Sequence, residues 1–513
     1  MTSTEPASAE RRGTGRKTPD LNNPRVLILT VALTLFLAST GQSIVSTALP
    51  EIVSDLGGLS YIAWVVTAYL LASTVGAPIA GKLGDMYGRK IVLQSAIGVF
   101  LVGGWIAGMA WNMPMLILGR VVQGAGGGAL IVVSMAVVAD ILPPRERAKW
   151  QGAFSAVFGV STVIGPLVGG FLVQTVGWHW IFFVNIPFGI AAFAVLTRNL
   201  PAHSGQQKHT LDYAGAVCLM SFLSALVLLA NLGGTILPWT SLPLLLLIAL
   251  VIAALCLFLF VESRAAEPVI PLSLFSVRNY QVANGVNLLV GMVMFGTLSF
   301  VPMFLQVVKG MTPADSGVCL IAMMAGIMTA SVLSGRFMNH TGRYRILPTL
   351  ATAVLCVSML VLSRIGVQTP IWTIALILYF MGLGIGPNLA VGVVAIQTSI
   401  PREHLGVGTA SANMFRLTGG AVGTSIFGAI FNHGMITHVS PLLPGLEDVS
   451  SITTSYLAEL EVGVRAHVIE GFSNAITPMF LLGACFAALA CLVSLRLVEL
   501  PLSGAPGRQA PAE

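Results

Sequence analysis

Long apolar runs, separated by short polar stretches, recur from residue 26 to residue 495 of this chain. A helix needs about 20 consecutive apolar residues to cross the hydrocarbon core of a bilayer. The runs are continuous and do not alternate with period two, which excludes a membrane β-barrel. Only 9% of the residues are charged, against about a quarter in soluble domains. The sequence therefore predicts an all-α polytopic membrane protein.

Hydropathy predicts fourteen transmembrane helices, at residues 26–47, 61–80, 91–111, 114–139, 150–173, 178–197, 213–232, 241–261, 282–307, 316–337, 346–363, 371–398, 408–431 and 474–495. Most of the 26 Lys and Arg residues then fall on one side of the membrane, together with the N-terminal tail. Because cytoplasmic loops carry the excess of positive charge, both termini are predicted to be cytoplasmic. The same bias accounts for the net charge of +6 without a nucleic-acid partner.

Two connections on the cytoplasmic side repeat one another: GKLGDMYGRK from residue 81 and GRFMNHTGRYR from residue 335. Glycine, acid or amide, glycine and arginine occupy the same offsets in Gly81, Asp85, Gly88 and Arg89 and in Gly335, Asn339, Gly342 and Arg343. The copies follow the second and the tenth span, so the repeat steps by eight helices. Two six-helix halves separated by two inserted helices explain this step, an arrangement typical of alternating-access carriers.

The predicted division of the chain follows from that repeat. It comprises a disordered cytoplasmic tail (1–25), an N-terminal six-helix half (26–200), two inserted helices (211–263), a C-terminal six-helix half (281–496) and a second cytoplasmic tail (497–513).

The loop GKLGDMYGRK, which continues to Lys90, resembles the signature of the major facilitator superfamily between its second and third helices. That resemblance implies a gate: glycines permit the tight turn, and Asp85 holds Arg89 or a helix end in one state and releases it in the other. The second copy extends this gating role to Gly335, Asn339, Gly342 and Arg343.

The fourth span, LILGRVVQGAGGG at residues 116–128, also resembles a motif of the superfamily. Arg120 and Gln123 share one helix face there. The resemblance links Arg120 to proton coupling. The alternative is a structural arginine that bonds backbone carbonyls of the first helix. Either role requires a protein or aqueous environment, because an arginine at the centre of a span costs about 2.5–3.5 kcal/mol on insertion scales.

GVSTVIGPLVGG at residues 159–170 resembles the antiporter motif of the superfamily, with Ser161 at a position that is usually glycine. Its residues Gly165, Pro166, Gly169 and Gly170 would allow close helix packing and a local bend. In the superfamily this motif marks exporters.

The segments WHWIFFVNIPFG and FRLTGGAVG, at residues 178–189 and 415–423, are similar to the fourteen-helix drug:proton antiporter branch. That branch commonly has an acid in its first helix, and Gly41 stands in that position here. Among acids near span ends, Asp140 is the best remaining candidate for coupling. Its alternative is an ordinary cytoplasmic acid beside Arg145 and Arg147.

The predicted function is efflux of lipophilic or amphipathic compounds by alternating access, with a dedicated exporter of one natural product, lipid or siderophore as the alternative. A receptor without turnover is disfavoured by the doubled gating loop, and an enzyme by the missing HExxH or Ser–His cluster. Few polar side chains are available to line a cavity, namely Gln42, Gln123, Asn284, Asn287, Asn388 and Asn413. We expect a small lipophilic substrate, a monomer in the inner (plasma) membrane, no nucleic acid, no cofactor and no metal.

Overall fold

The computed structural model describes residues 24–56, 62–200, 212–233, 237, 240–265, 267–311, 313–442 and 462–502. Within these ranges the regular structure is helical. The α-helices are α1 (Pro24–Ser43), α2 (Leu49–Leu56), α3 (Ile62–Tyr87), α4 (Arg89–Gly108), α5 (Met113–Ile141), α6 (Pro144–Thr175), α7 (Trp180–Phe183), α8 (Asn185–Asn199), α9 (Tyr213–Leu232), α10 (Leu242–Glu262), α11 (Arg278–Val307), α12 (Pro313–Thr341), α13 (Ile346–Leu362), α14 (Ile371–Ser399), α15 (Leu405–His438) and α16 (Val462–Ser494).

Every predicted span coincides with helical structure in the described ranges. In the part of the chain that the structure describes, eleven helices are long and apolar enough to cross a membrane, and two shorter apolar helices occupy Ile28–Ser43 and Ile346–Leu362. The predicted fifth span lies in α6, a helix of 32 residues. The all-α class is thus confirmed, while the count of fourteen crossings and the orientation stay predictions. The limits of the two halves also stay predictions, and residues 1–23, 201–211 and 503–513 lie outside the described residues.

Two glycines with positive φ mark the repeated loop. Gly88, with φ of 90°, separates α3 from α4, and Gly342, with φ of 69°, follows α12. L-residues with a side chain rarely adopt this conformation, so glycine is required at both turns. The repeat seen in the sequence therefore corresponds to the same local turn between two helices in each half.

The glycine-rich stretch of α5 lets this helix pack backbone to backbone against α3 and α4. A Cβ atom on Gly124 or Gly128 would collide with the carbonyl oxygen of Tyr69 or Ser73 on α3. On the other side, a Cβ on Gly119 would lie 2.6 Å from the backbone nitrogen of Ala107 on α4. Contacts of this closeness hold membrane helices together by van der Waals packing, since lipid offers no hydrophobic driving force.

The N-terminal and C-terminal helices meet mainly where α3 packs against α15 and α6 packs against α12, and smaller contacts join α5 to α15 and α6 to α14. The inserted helices α9 and α10 pack against each other, and α9 also contacts both α3 and α15. The inserted pair therefore lies beside one junction between the two sets of helices, where the first copy of the repeated loop is also found.

Candidate functional site

Asp85, in the last turn of α3, binds the first turn of α15. Its two carboxylate oxygens accept hydrogen bonds from the backbone N–H groups of Gly406 and Val407, each at 3.1 Å. These amides have no partner inside their own helix, and the positive end of the helix dipole favours an anion there. Asp85 thus caps a helix that is more than 300 residues away in the sequence. We call this the Asp85 contact.

Arg89 connects the Asp85 contact to α5. Its guanidinium forms an ion pair with Asp85, and its Nε donates to Oδ2 of Asp140 at 2.9 Å. The sequence predicts Asp140 as a coupling residue or as an acid beside Arg145 and Arg147. In the structure Asp140 pairs with Arg89, as part of the Asp85 contact, and its charge also acts on Arg147. A role in coupling stays a prediction. Lys90 donates to the carbonyls of Thr197 and Leu200, at 2.8 and 2.7 Å, and so ties α4 to the end of α8.

Gly81 brings α3 and α15 into backbone contact. A Cβ on this residue would lie 2.7 Å from the carbonyl oxygen of Gly406. Any larger residue would push α15 away and lengthen the hydrogen bonds from its amides to Asp85. The first glycine of the repeated motif therefore serves helix contact between the two sets of helices, whereas Gly88 serves the turn.

The second copy of the motif has a different environment. Asn339 is half-buried and Arg343 is exposed. The turn after Gly342 is held by Glu499, which follows α16 and accepts from the backbone N–H groups of Tyr344 and Arg345 at 2.8 and 3.1 Å. Gly335 is buried at the end of α12. The two copies of the motif thus share a turn. Within the described residues, however, it is the first copy that caps a helix of the other set.

Arg120 of α5 is fully buried and bonds neutral oxygens. Its Nη1 donates to the carbonyl of Gly41 at 2.9 Å and to Oε1 of Gln123 at 2.7 Å, and its Nε donates to the carbonyl of Val65 at 3.1 Å. The guanidinium also lies 4.3 Å from the ring centre of Tyr69. These contacts match the structural alternative for Arg120, with Gly41 as its acceptor on the first helix. Its role in coupling stays a prediction.

The room for a side chain at Gly41 is filled by an aromatic ring. A Cβ on Gly41 would lie 2.5 Å from Cζ of Phe100, which is fully buried on α4. The ring of Phe100 therefore takes the space that an acidic side chain at position 41 would need. The sequence showed the glycine but not the residue that fills the space beside it.

The antiporter motif packs α6 against the end of α1. A Cβ on Gly169 would lie 2.6 Å from both the carbonyl oxygen of Ile44 and Oγ1 of Thr47, and one on Gly165 would collide with Ser43. Ser161 is buried, and its carbonyl accepts from Oγ of Ser43 at 3.1 Å. A Cβ on Gly170 would meet nothing within 4 Å. Gly165 and Gly169 therefore form the contact, and Gly170 does not. Pro166 lies in the same helix.

The predicted cavity residues do not form one group. Gln42 is half-buried in α1, and Gln123 bonds Arg120. Asn284, Asn287 and Asn388 are buried among helices of the C-terminal set. Asn388 donates to the carbonyl of Gly384 in its own helix at 2.8 Å. Oδ1 of Asn413 accepts a hydrogen bond from the guanidinium of Arg416 at 2.5 Å, much as Gln123 accepts one from Arg120.

Arg416 lies in α15 and is not among the site residues that the sequence predicts. Its guanidinium lies 5.9 Å from the ring centre of Phe158, so α15 faces α6 of the other set here. The Nε atom is buried without a hydrogen-bond partner, and the ion pairs found among the described residues involve Arg89 and His404 instead. The sequence signal was an arginine in an apolar stretch with no acid at helical spacing.

The sequence profile of the Major Facilitator Superfamily matches residues 31–218 and 209–424. The chain belongs to the major facilitator superfamily. It is 35% identical to the multidrug transporter protein MdtP of Bacillus subtilis over 85% of this chain and 81% of that protein. It is 29% identical to Multidrug resistance protein 3 of the same organism, over 92% of this chain and 94% of that protein. The resemblance to drug-efflux transporters is thereby confirmed, and the chain is a multi-pass membrane transporter.

Solved structures show the same fold at low sequence identity. The human organic anion transporter MFSD10 (TETRAN) superimposes with a TM-score of 0.63 at 13% identity, covering 93% of this chain and all of that one (100%). The proton:xylose symporter XylE superimposes with a TM-score of 0.57 at 14% identity, covering 91% of this chain and 94% of that chain.

We expect Asp85→Asn to reduce transport at least about tenfold while leaving membrane insertion intact. The amide loses the ion pair with Arg89, and hydrogen bonds to charged groups contribute about 1.5–3 kcal/mol, where about 1.4 kcal/mol is a tenfold change in an equilibrium. Transport is measured in inverted vesicles with matched protein levels. Asn339→Ala at the equivalent position of the second copy is the control and should retain most activity. Wild-type transport by the Asp85→Asn protein would contradict the gating role.

We expect Gly41→Ala to destabilise the transporter by about 1–3 kcal/mol, the usual effect of overpacking a core. The measurement is thermal unfolding of the purified protein in detergent. Phe100→Leu should restore much of the lost stability in the Gly41→Ala background, because it vacates the space that the new methyl group needs. Gly41→Asp should behave likewise and require a smaller residue at position 100. A Gly41→Ala protein as stable as wild type would show that Phe100 is not the constraint.

Proposed function

We propose that this protein exports lipophilic and amphipathic compounds across the inner (plasma) membrane by alternating access, as a secondary active transporter rather than an enzyme. The observation that carries this proposal is the Asp85 contact. An ionised side chain of one half binds a helix end of the other, and such a contact can exist in only one of two conformations. The described similarity to multidrug transporters supports export as the direction.

In this proposal the Asp85 contact closes the cytoplasmic side, and the termini also face the cytoplasm. The excess of Lys and Arg on that side supports the orientation. Opening would separate α3 from α15 and α6 from α12, the helix pairs with the most extensive contacts between the two sets. The fourteen-helix count completes the scheme, with α9 and α10 as the inserted pair. The protein would act as a monomer, without nucleic acid, on a substrate that enters from the bilayer or the cytoplasm.

A compound-susceptibility panel in a host that lacks its main efflux pumps tests this function. Expression of the wild-type protein should raise the inhibitory concentrations of several unrelated lipophilic compounds, and expression of the Asp85→Asn protein should not. Protection against a single compound class would favour a dedicated exporter of one natural product, lipid or siderophore. No protection by the wild-type protein against any class would contradict an export function.

Arg416 narrows the class of compound within this function. Arg416 is half-buried, and among the described residues no acid pairs with it. An arginine at membrane depth without such a partner is costly, and Asn413 offers it only a neutral oxygen. An acidic group on the substrate would compensate the charge, and the ring of Phe158 would contact an apolar part of the same molecule. The described hydrogen-bond partner of Arg416 is Asn413. A site with so few polar contacts suits an amphipathic ligand. We therefore expect a preference for amphipathic acids over cationic drugs.

We expect Arg416→Gln to lower the transport of amphipathic carboxylates or sulfonates about tenfold or more. These substrates would lose the charged hydrogen bond between their acidic group and the guanidinium. Transport of a neutral compound of similar size should change far less. The measurement is uptake of fluorescent acid and neutral analogues into inverted vesicles. The exposed Arg278→Gln is the matched control for a lost positive charge. An equal loss for both compound classes in the Arg416→Gln protein would show that this arginine is structural.

A further inference from the structure

Two acidic side chains converge where the inserted helices approach the Asp85 contact. Asp212 caps α9, and its Oδ1 accepts from the backbone N–H of Gly215 at 2.8 Å. Glu262 is the last residue of α10, and its Oε1 accepts from the backbone N–H of Ile270 at 2.5 Å. Glu262 is only 3% exposed. Each carboxylate thus has one oxygen bonded to the backbone and one oxygen left over.

The two remaining oxygens face the same small space. A Cβ on Gly215 would lie 2.6 Å from Oε2 of Glu262 and closer still to Oδ2 of Asp212. Both oxygens are buried and have no hydrogen-bond partner among the described residues. The backbone N–H of Val269 also interacts favourably with the Glu262 carboxylate. Glycine at position 215 is what leaves room for the two carboxylates to approach each other.

An arrangement of this kind is unfavourable when both groups are ionised. Two like charges in a buried site repel each other, and each free oxygen lacks the donor that burial demands. One proton would relieve both problems, since a protonated carboxyl can donate a hydrogen bond to a carboxylate that comes within bonding distance. Acids that interact strongly bind and release their protons as a pair rather than as separate residues.

Lys82 connects this acid pair to the gate. It is buried on α3, three residues before Asp85, and its positive charge acts weakly on Glu262, less than the burial of that group and less than the repulsion from Asp212. The charged groups that act on Glu262 among the described residues are Lys82 from α3 and Asp212 from α9. Because α9 packs against both α3 and α15, a movement of α3 that breaks the Asp85 contact also changes the distance from Lys82 to the acid pair.

We propose that Asp212 and Glu262 share one proton, and that the affinity of this proton site depends on Lys82 and hence on the state of the Asp85 contact. The inserted helices then have a specific role: they hold an exchangeable proton beside the gate. A nearby positive charge favours the ionised pair, so withdrawal of Lys82 when the gate opens raises the affinity for the proton, and its return promotes release.

Infrared difference spectroscopy of the full-length transporter tests the proton directly and needs no substrate, so its result is independent of the proposed export function. The wild-type protein at neutral pH should show the C=O band of a protonated carboxyl group, which shifts in D2O and disappears as the pH is raised. Glu262→Gln imitates the protonated form in shape and should lose this band. Asp212→Asn should lose or shift it. The same spectra with and without sodium ions separate a proton from a bound cation.

Lys82→Gln tests the connection to the gate. Removal of the positive charge should move the disappearance of the band to higher pH, since the ionised pair loses its favourable partner. Identical carboxyl spectra for wild type and Glu262→Gln at all pH values, or a band that appears only when sodium is removed, would overturn the proton site. An unchanged titration in the Lys82→Gln protein, with the band still lost in Glu262→Gln, would overturn the link to α3.

Discussion

The carboxylate of Asp85 binds amide groups at the start of α15 that no residue of their own helix can satisfy. Arg89 balances the charge of this carboxylate and carries the connection on to Asp140 of α5. Much of the described structure depends on this contact: α3 and α15 touch at Gly81, and α9 lies against both helices. Three charged side chains and one helix dipole are thus concentrated where, in the proposed transport cycle, the two sets of helices separate. Strong, short-range contacts of this kind favour two discrete conformations over a continuous range.

The architecture was predictable because its causes are local. Apolar runs of sufficient length predict helices, and a glycine at a fixed offset predicts a turn that only glycine adopts easily, as Gly88 and Gly342 demonstrate. The partners across the molecule were not predictable in the same way. Nothing near Asp85 in the sequence indicates Gly406 or Val407, and nothing near Gly342 indicates Glu499. The sequence repeat suggested two equivalent gates, but the structure gives the two copies different partners, because an additional acid after α16 binds beside the second one.

The candidate site follows the same pattern. The pairing of Arg120 with neutral oxygens could be anticipated, since a buried arginine needs acceptors and the first helix lacks an acid. Arg416 could not be predicted as a site residue, because its proposed role depends on the side chains that other helices place beside it. An arginine in an apolar stretch is ordinary if a carboxylate from another helix pairs with it, and only the tertiary structure reveals Asn413 and Phe158 as its neighbours. Likewise, amides such as Asn388 bond within their own helices, which sequence cannot distinguish from facing a cavity.

The absence of an acid in the first helix is best understood together with Phe100 and the inserted pair. Phe100 fills the space beside Gly41, so the first helix cannot gain a carboxylate without repacking α4. A proton-driven carrier nevertheless needs a group whose proton affinity differs between its two conformations. That group need not touch the substrate. It needs only a charged neighbour that moves with the gate. Lys82, on the same helix as Asp85, is the neighbour that we propose, because its charge acts on Glu262. Coupling through the inserted helices would not require an acid between the two halves, which is compatible with the proposed role of Arg416 in binding an acidic substrate.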